Sequence, residues 1–136
     1  MDVNVSPAGR LSVLVAESQE VLRRELSAAL GQMGLCIYEA GGGSETLDIV
    51  STVKVHALVL DFDMPDLTGL ETVRVIRTFQ EVPPYLLLAS VVTRGLQMAA
   101  LDGHATSVLP KPVDTGLLSD IVQTMLMRSY GGRWAR

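Results

Sequence analysis

Leu58–Glu71, LVLDFDMPDLTGLE, decides how the rest of the chain is read. Leu58, Val59 and Leu60 run unbroken into Asp61, so the segment opens as a strand, His56–Asp61, apolar on both sides. A strand of that kind belongs inside a sheet covered on both faces. Beyond Pro65, Leu70, Val73 and Ile76 recur at helical spacing and mark a helix over Thr68–Gln80. The stretch is therefore one strand-to-helix junction, with an aspartate where the strand ends.

The same alternation continues in both directions. Upstream, Leu11–Ala16 is a short apolar strand, and Leu22, Leu26, Ala29 and Met33 place a helix over Gln19–Met33 that Gly34 stops. Leu35–Glu39 is a second strand, Gly41–Gly43 a loop, and Ser44 the expected N-cap of a helix over Glu45–Val53. Downstream, Pro83 and Pro84 end the third helix. A strand at Tyr85–Ala89, a helix at Arg94–Asp102 stopped by Gly103, a strand at Thr106–Leu109 and a helix at Asp114–Arg128 follow. Strands alternating with helices through short loops predict an α/β fold with a parallel sheet. Right-handed crossovers favour a doubly wound, flavodoxin-like five-stranded parallel sheet of order 2-1-3-4-5. In that topology ligands sit at the carboxyl ends of the strands.

Composition narrows the function. The chain has 136 residues, which suits one domain, and 48% hydrophobic with 19% charged residues excludes a disordered chain. A net charge of −4 argues against nucleic acid as a ligand. Cys36 is the single cysteine, so neither a disulfide framework nor a multi-thiolate metal site is expected. Met1–Arg10 has no apolar stretch of the secretory type, and the apolar run near Tyr85–Val92 is too short to span a membrane. The expectation is a cytoplasmic domain over residues 11–128. Residues 1–10 form a flexible leading segment, and residues 129–136, with Trp134, a tail or linker.

Polar chemistry gathers at the strand ends: Glu17-Ser18 after the first, Asp61-Phe62-Asp63 after the third, Ala89-Ser90 after the fourth, Pro110-Lys111-Pro112 after the fifth. The topology brings Glu17, Asp61 and Lys111 into one shallow cleft. Two carboxylates and an ammonium suit a divalent cation and a phosphoryl group. Magnesium takes a few oxygen ligands and keeps several waters. A carboxylate such as Asp61 can attack phosphorus to give an acyl phosphate, and Lys111 can pair with phosphoryl oxygens as a point charge.

With these residues the chain resembles the receiver domains of two-component response regulators, over about residues 10–128. The carriers are the strand-terminal Asp61 with Met64-Pro65 and Gly69-Leu70-Glu71, and the Lys111-Pro112 pair. The resemblance implies that Asp61 accepts a phosphoryl group from a sensor histidine kinase or phosphotransfer protein and that Lys111 binds that group. It implies a magnesium site at Glu17, Asp61 and Asp63, the last through its carbonyl, and a cis peptide bond before Pro112. It also implies a homodimer through the fourth and fifth helices. That face would use Leu96, Met98 and Leu101 with the wide apolar stripe of Leu117, Leu118, Ile121, Val122, Met125 and Leu126, unless the stripe is simply buried.

Three positions depart from the family pattern. Ser18 stands where a second acid normally holds the metal, and either caps the first helix or ligates weakly. Ala89 stands where a switch hydroxyl meets the phosphoryl group, and Val108 where an aromatic residue reports it. Ser90 is one residue late and a one-residue slip turns a strand side chain to the other face. Asp63 either adds a carboxylate to the site or faces solvent. Two other readings follow. One is a pseudo-receiver acting as an interaction module without phosphate. The other is a small phosphatase of the haloacid dehalogenase type, built on Asp61-Phe62-Asp63. His56 and Cys36 are read as buried structural residues and His104 as a solvated turn.

Overall fold

The computed structural model describes residues 9–131. Its elements run β1 (Ser12–Ala16), α1 (Glu20–Gly31), β2 (Cys36–Ala40), α2 (Gly43–Thr52), β3 (Ala57–Asp61), α3 (Gly69–Arg77), β4 (Tyr85–Ala89), α4 (Arg94–Asp102), β5 (Val108–Pro110) and α5 (Thr115–Tyr130). The strands form one parallel sheet of order β2-β1-β3-β4-β5, as expected. β4 and α4 have the expected bounds. The helix expected over Thr68–Gln80 ends at Arg77, where the Thr78 and Phe79 amides tighten the chain onto the Val75 and Ile76 carbonyls.

Alternation along the strands sorts the core into two layers, because successive side chains point to opposite faces. Val13, Val15, Val59, Leu86 and Leu88 pack with Leu26 and Leu30 of α1 and Leu118, Val122, Met125 and Leu126 of α5. Leu14, Leu58, Leu60 and Leu87 pack with Val50 of α2, Val73 and Ile76 of α3, and Leu96 and Ala100 of α4. β1, β3 and β4 are buried end to end, as their apolar runs require. β2 is an edge strand, so Cys36 is half-buried rather than fully buried as expected. Most of the α5 stripe faces the sheet, while Leu117 on α5 and Met98 and Leu101 on α4 remain exposed.

Three of the five helices start on a capping side chain. Thr68 and Glu71 form a capping box on α3, and Thr93 and Asp114 cap α4 and α5. α2 is different: it starts one residue before Ser44, and its N-cap Gly42 has no side chain to offer. The missing acceptor comes from the β3–α3 loop. Asp66 takes the Gly43 amide at 3.0 Å and the Ser44 amide at 2.9 Å. A Cβ on Gly43 would lie 2.6 Å from both Leu67 Cβ and Thr72 Oγ1, so only glycine lets α2 approach this closely.

The two amides hold the Asp66 carboxyl well below its ordinary value of 3.8. A depressed folded-state pKa contributes stability above the unfolded value and loses it as pH falls toward the folded one. Asp66→Ala is expected to cost about 1 kcal/mol at neutral pH by urea unfolding. The difference from the parent chain should shrink as pH drops below the ordinary carboxylate range.

α5 runs to Tyr130, two residues past its expected end. The Tyr130 hydroxyl donates to the His56 carbonyl at 2.9 Å, and the two rings meet edge to face with centroids 5.0 Å apart. His56 is fully buried and its Nδ1 accepts the Ser12 amide at 2.9 Å, a structural role as expected. His104 is exposed in a turn with φ of 63°. Trp134 and the rest of the expected tail from residue 132 lie outside the described residues.

Candidate functional site

Parallel register brings the strand ends level. Ala16 pairs with Leu60, so Glu17, one residue on, stands beside Asp61. The Glu17 amide donates to the Ala40 carbonyl and the Lys111 amide to the Ala89 carbonyl, each at 3.0 Å, which fixes both backbones at the sheet rim. Glu17 and Asp61 are 0% and 1% exposed. Lys111 Nζ reaches both, at 2.8 Å from Glu17 Oε1 and 3.1 Å from Asp61 Oδ1. The Lys111–Pro112 peptide bond is cis. The expected trio therefore does converge.

Two carboxylates share one ammonium here. Burial pushes the Asp61 carboxyl above its ordinary value of 3.8 and the Glu17 charge adds to the rise, against the opposing pull of the Asp63 amide and Lys111. For Lys111, burial works against the charged form, but the hydrogen bonds to Glu17 and Asp61 outweigh it and raise its pKa. An acid with a raised folded-state pKa stabilises the fold most below its unfolded value, and that contribution fades as pH rises through the folded one. Asp61→Asn is thus expected to stabilise the domain at neutral pH and to raise its thermal midpoint. The gain should vanish below the ordinary carboxylate range, where Asp61 is protonated in both states. Thermal melts across pH check both parts.

Other expected positions fall differently. Ser18 is exposed and caps nothing: the N-cap of α1 is Gln19, whose amide is taken by Glu17 Oε2 at 3.0 Å. Glu17 thereby holds the N-cap residue, while no side chain caps the first turn of α1. Ser18 lines a recess of about 380 Å³ with Gly41, Ser44, Pro65 and Asp66. Ala89 is buried at the end of β4 and Val108 half-buried at the start of β5. β4 ends in Ala89 and Ser90 follows it, so neither supplies the acids that a phosphatase of the haloacid dehalogenase type needs on a later strand.

Two loop contacts were invisible in the sequence. The Asp63 amide donates to Asp61 Oδ1, and Asp63 Oδ2 accepts the Ser90 amide, both at 2.9 Å. Asp66 binds α2 on the other side. The loop after Asp61 is fastened to both neighbouring loops by its own carboxylates. The aspartates at 63 and 66 were the available signal, since aspartate side chains readily bond backbone amides. Their partners lie more than 20 residues away and cannot be read locally.

Among the described residues no three acidic, histidine or cysteine side chains converge as a metal cage. The oxygen donors brought together here are the carboxylates of Asp61 and Glu17. That set fits magnesium, which needs only one or two carboxylates, better than a metal that demands a full protein cage.

A family model described as "Response regulator receiver domain" matches residues 13–123. The response regulator MprA of Mycobacterium avium (strain 104) is 32% identical over 119 residues, covering 88% of this chain and 52% of that protein. Response regulator RR06 of Streptococcus pneumoniae is 27% identical over 120 residues, covering 88% of this chain and 55% of that protein. The chain thus spans about half the length of these curated relatives. Among solved structures, the Francisella response regulator 1452 receiver domain superposes with a TM-score of 0.82 at 22% identity, covering 88% of this chain and 99% of that one. A CheY-like receiver domain protein from Methanospirillum hungatei gives a TM-score of 0.79 at 16% identity, covering 88% and 97%. These structural likenesses speak to the fold.

Proposed function

The chain belongs to the receiver domains of two-component response regulators, and from that premise we propose that Asp61 is its phosphoryl acceptor. The observation that carries the proposal is the buried Asp61 carboxylate at the end of β3, held at 3.1 Å by Lys111 beside Glu17. The donor is a phosphohistidine of a sensor kinase or phosphotransfer protein. An Asp61 oxygen attacks phosphorus and forms the O–P bond. The P–N bond breaks, and the leaving imidazole keeps the electron pair and takes up a proton.

Lys111 already sits against the attacking carboxylate, so its charge is in place where negative charge accumulates on the transferring oxygens. Glu17 orients Lys111 and, through Oε2, the first turn of α1. Asp61, Glu17 and the Asp63 carbonyl are the groups to hold magnesium, which when bound neutralises charge on the transferring group. Ser18, neutral where the family has a second acid, weakens that site. The exposed Met98, Leu101 and Leu117 belong to a homodimer face on α4 and α5. No described helix is long and apolar enough to cross a membrane, and the reading places the chain in the cytoplasm with its donor.

Intact-mass spectrometry after incubation with acetyl phosphate and magnesium tests the reading. One phosphoryl group per chain, absent in Asp61→Asn, supports it. An unmodified parent chain, or a variant that still gains the group, refutes it.

A further inference from the structure

We propose that Asp63 is a positioning residue: its carboxylate clasps the β4–α4 loop to the acceptor and releases it when Asp61 carries a phosphoryl group. The inference rests on the acceptor reading of Asp61 and adds a route out of the site. Ala89 is an alanine at the end of β4, so no hydroxyl there can reach toward a phosphoryl group. The donor that does stand at that point is the Ser90 backbone amide, and it is engaged by Asp63 Oδ2 at 2.9 Å. At its other end Asp63 is bonded to the acceptor itself, its own amide donating to Asp61 Oδ1 at 2.9 Å. One residue thus links Asp61 to the first residue beyond β4.

Asp63 is exposed on the surface, yet it directs a carboxylate oxygen to an amide 27 residues further along the chain. A carboxylate accepting a backbone amide is a charge-assisted bond, stronger than a neutral pair. A phosphoryl group on Asp61 changes the balance in two ways. It raises the negative charge at position 61 from one to about two, next to Asp63. It also brings new acceptor oxygens that compete for the Ser90 amide. Repulsion and competition act in the same direction: Asp63 lets go and the loop leading into α4 is repositioned. The buried methyl of Ala89 takes no part.

The test uses the full chain and beryllofluoride as a phosphoryl mimic with magnesium, read at the Ser90 amide by nuclear magnetic resonance and hydrogen exchange. In the free parent chain the amide should be protected. Asp63→Ala, at an exposed position, should raise its exchange about tenfold, as loss of one charge-assisted bond predicts. It should also tighten beryllofluoride binding severalfold, because nothing competes for the donor. Asp63→Asn keeps an acceptor without the charge, so it should restore protection while still binding more tightly than the parent.

Equal exchange and equal affinity in the parent chain and Asp63→Ala would overturn the clasp and leave the acceptor reading standing. Failure of the parent and both variants to bind beryllofluoride would overturn the acceptor reading, and the clasp with it. Binding by Asp63→Ala alone would support the clasp in its strongest form.

Discussion

Lys111→Met is expected to slow phosphoryl uptake by about a hundredfold or more, read as the rate of mass gain in acetyl phosphate. Lys111 Nζ is the one cation within 4 Å of the Asp61 carboxylate among the described residues. Removal of a single donor aimed at developing negative charge typically costs 10²–10³ in rate, roughly 3–4 kcal/mol. Methionine keeps most of lysine's apolar stem and removes the ammonium, with its charge and its hydrogen-bond donors. Lys111→Arg should recover little, because a planar fork does not reproduce a compact ammonium placed between Glu17 and Asp61. Uptake at the parent rate in Lys111→Met would show that the ammonium orders the resting site and takes no part in transfer.

The second large effect concerns the scaffold. Leu87→Ala is expected to destabilise the domain by about 3–4 kcal/mol, the usual cost of a buried leucine truncation with its cavity. Leu87 is fully buried, pairs with Leu60 on β3 and Val108 on β5, and lies in the core layer under α2, α3 and α4. It also supports the start of α3: a Cβ on Gly69 would lie 2.9 Å from Leu87 Cδ2, so helix and strand already touch. That loss is a large share of the 5–15 kcal/mol typical of a domain, and should lower the thermal midpoint by roughly 10–15 °C. Leu101→Ala, 73% exposed on α4, should stay within about 0.5 kcal/mol of the parent chain. Comparable midpoints for the two variants would mean that the layer does not carry the fold.

The strands were legible because β1, β3 and β4 are buried on both faces and so are apolar without interruption. Their order followed from the parallel crossovers. The trio of Glu17, Asp61 and Lys111 was legible for the same reason, since a strand-terminal polar residue in such a sheet has one place to go. What the sequence concealed are contacts made by one loop to another. Ser44 looked like a cap for α2 because it is the standard residue for that task, but Asp66 caps the helix from 22 residues downstream. Ser18 looked like a cap for α1, but the N-cap is Gln19, whose amide the buried Glu17 takes. α5 ran longer than its apolar stripe required, because Tyr130 is anchored to His56 across the molecule. Each of these is a tertiary choice between equivalent polar partners, which local patterning does not rank.

The acyl phosphate itself gives the most direct test. The chain is phosphorylated with acetyl phosphate and magnesium, then reduced with borohydride, which converts an aspartyl phosphate to homoserine, and mapped by peptide mass spectrometry. Homoserine is expected at position 61, with unchanged aspartate at 63 and 66. Homoserine at position 63 or 66, or none at all in a chain that has gained a phosphoryl group, would contradict Asp61 as the acceptor.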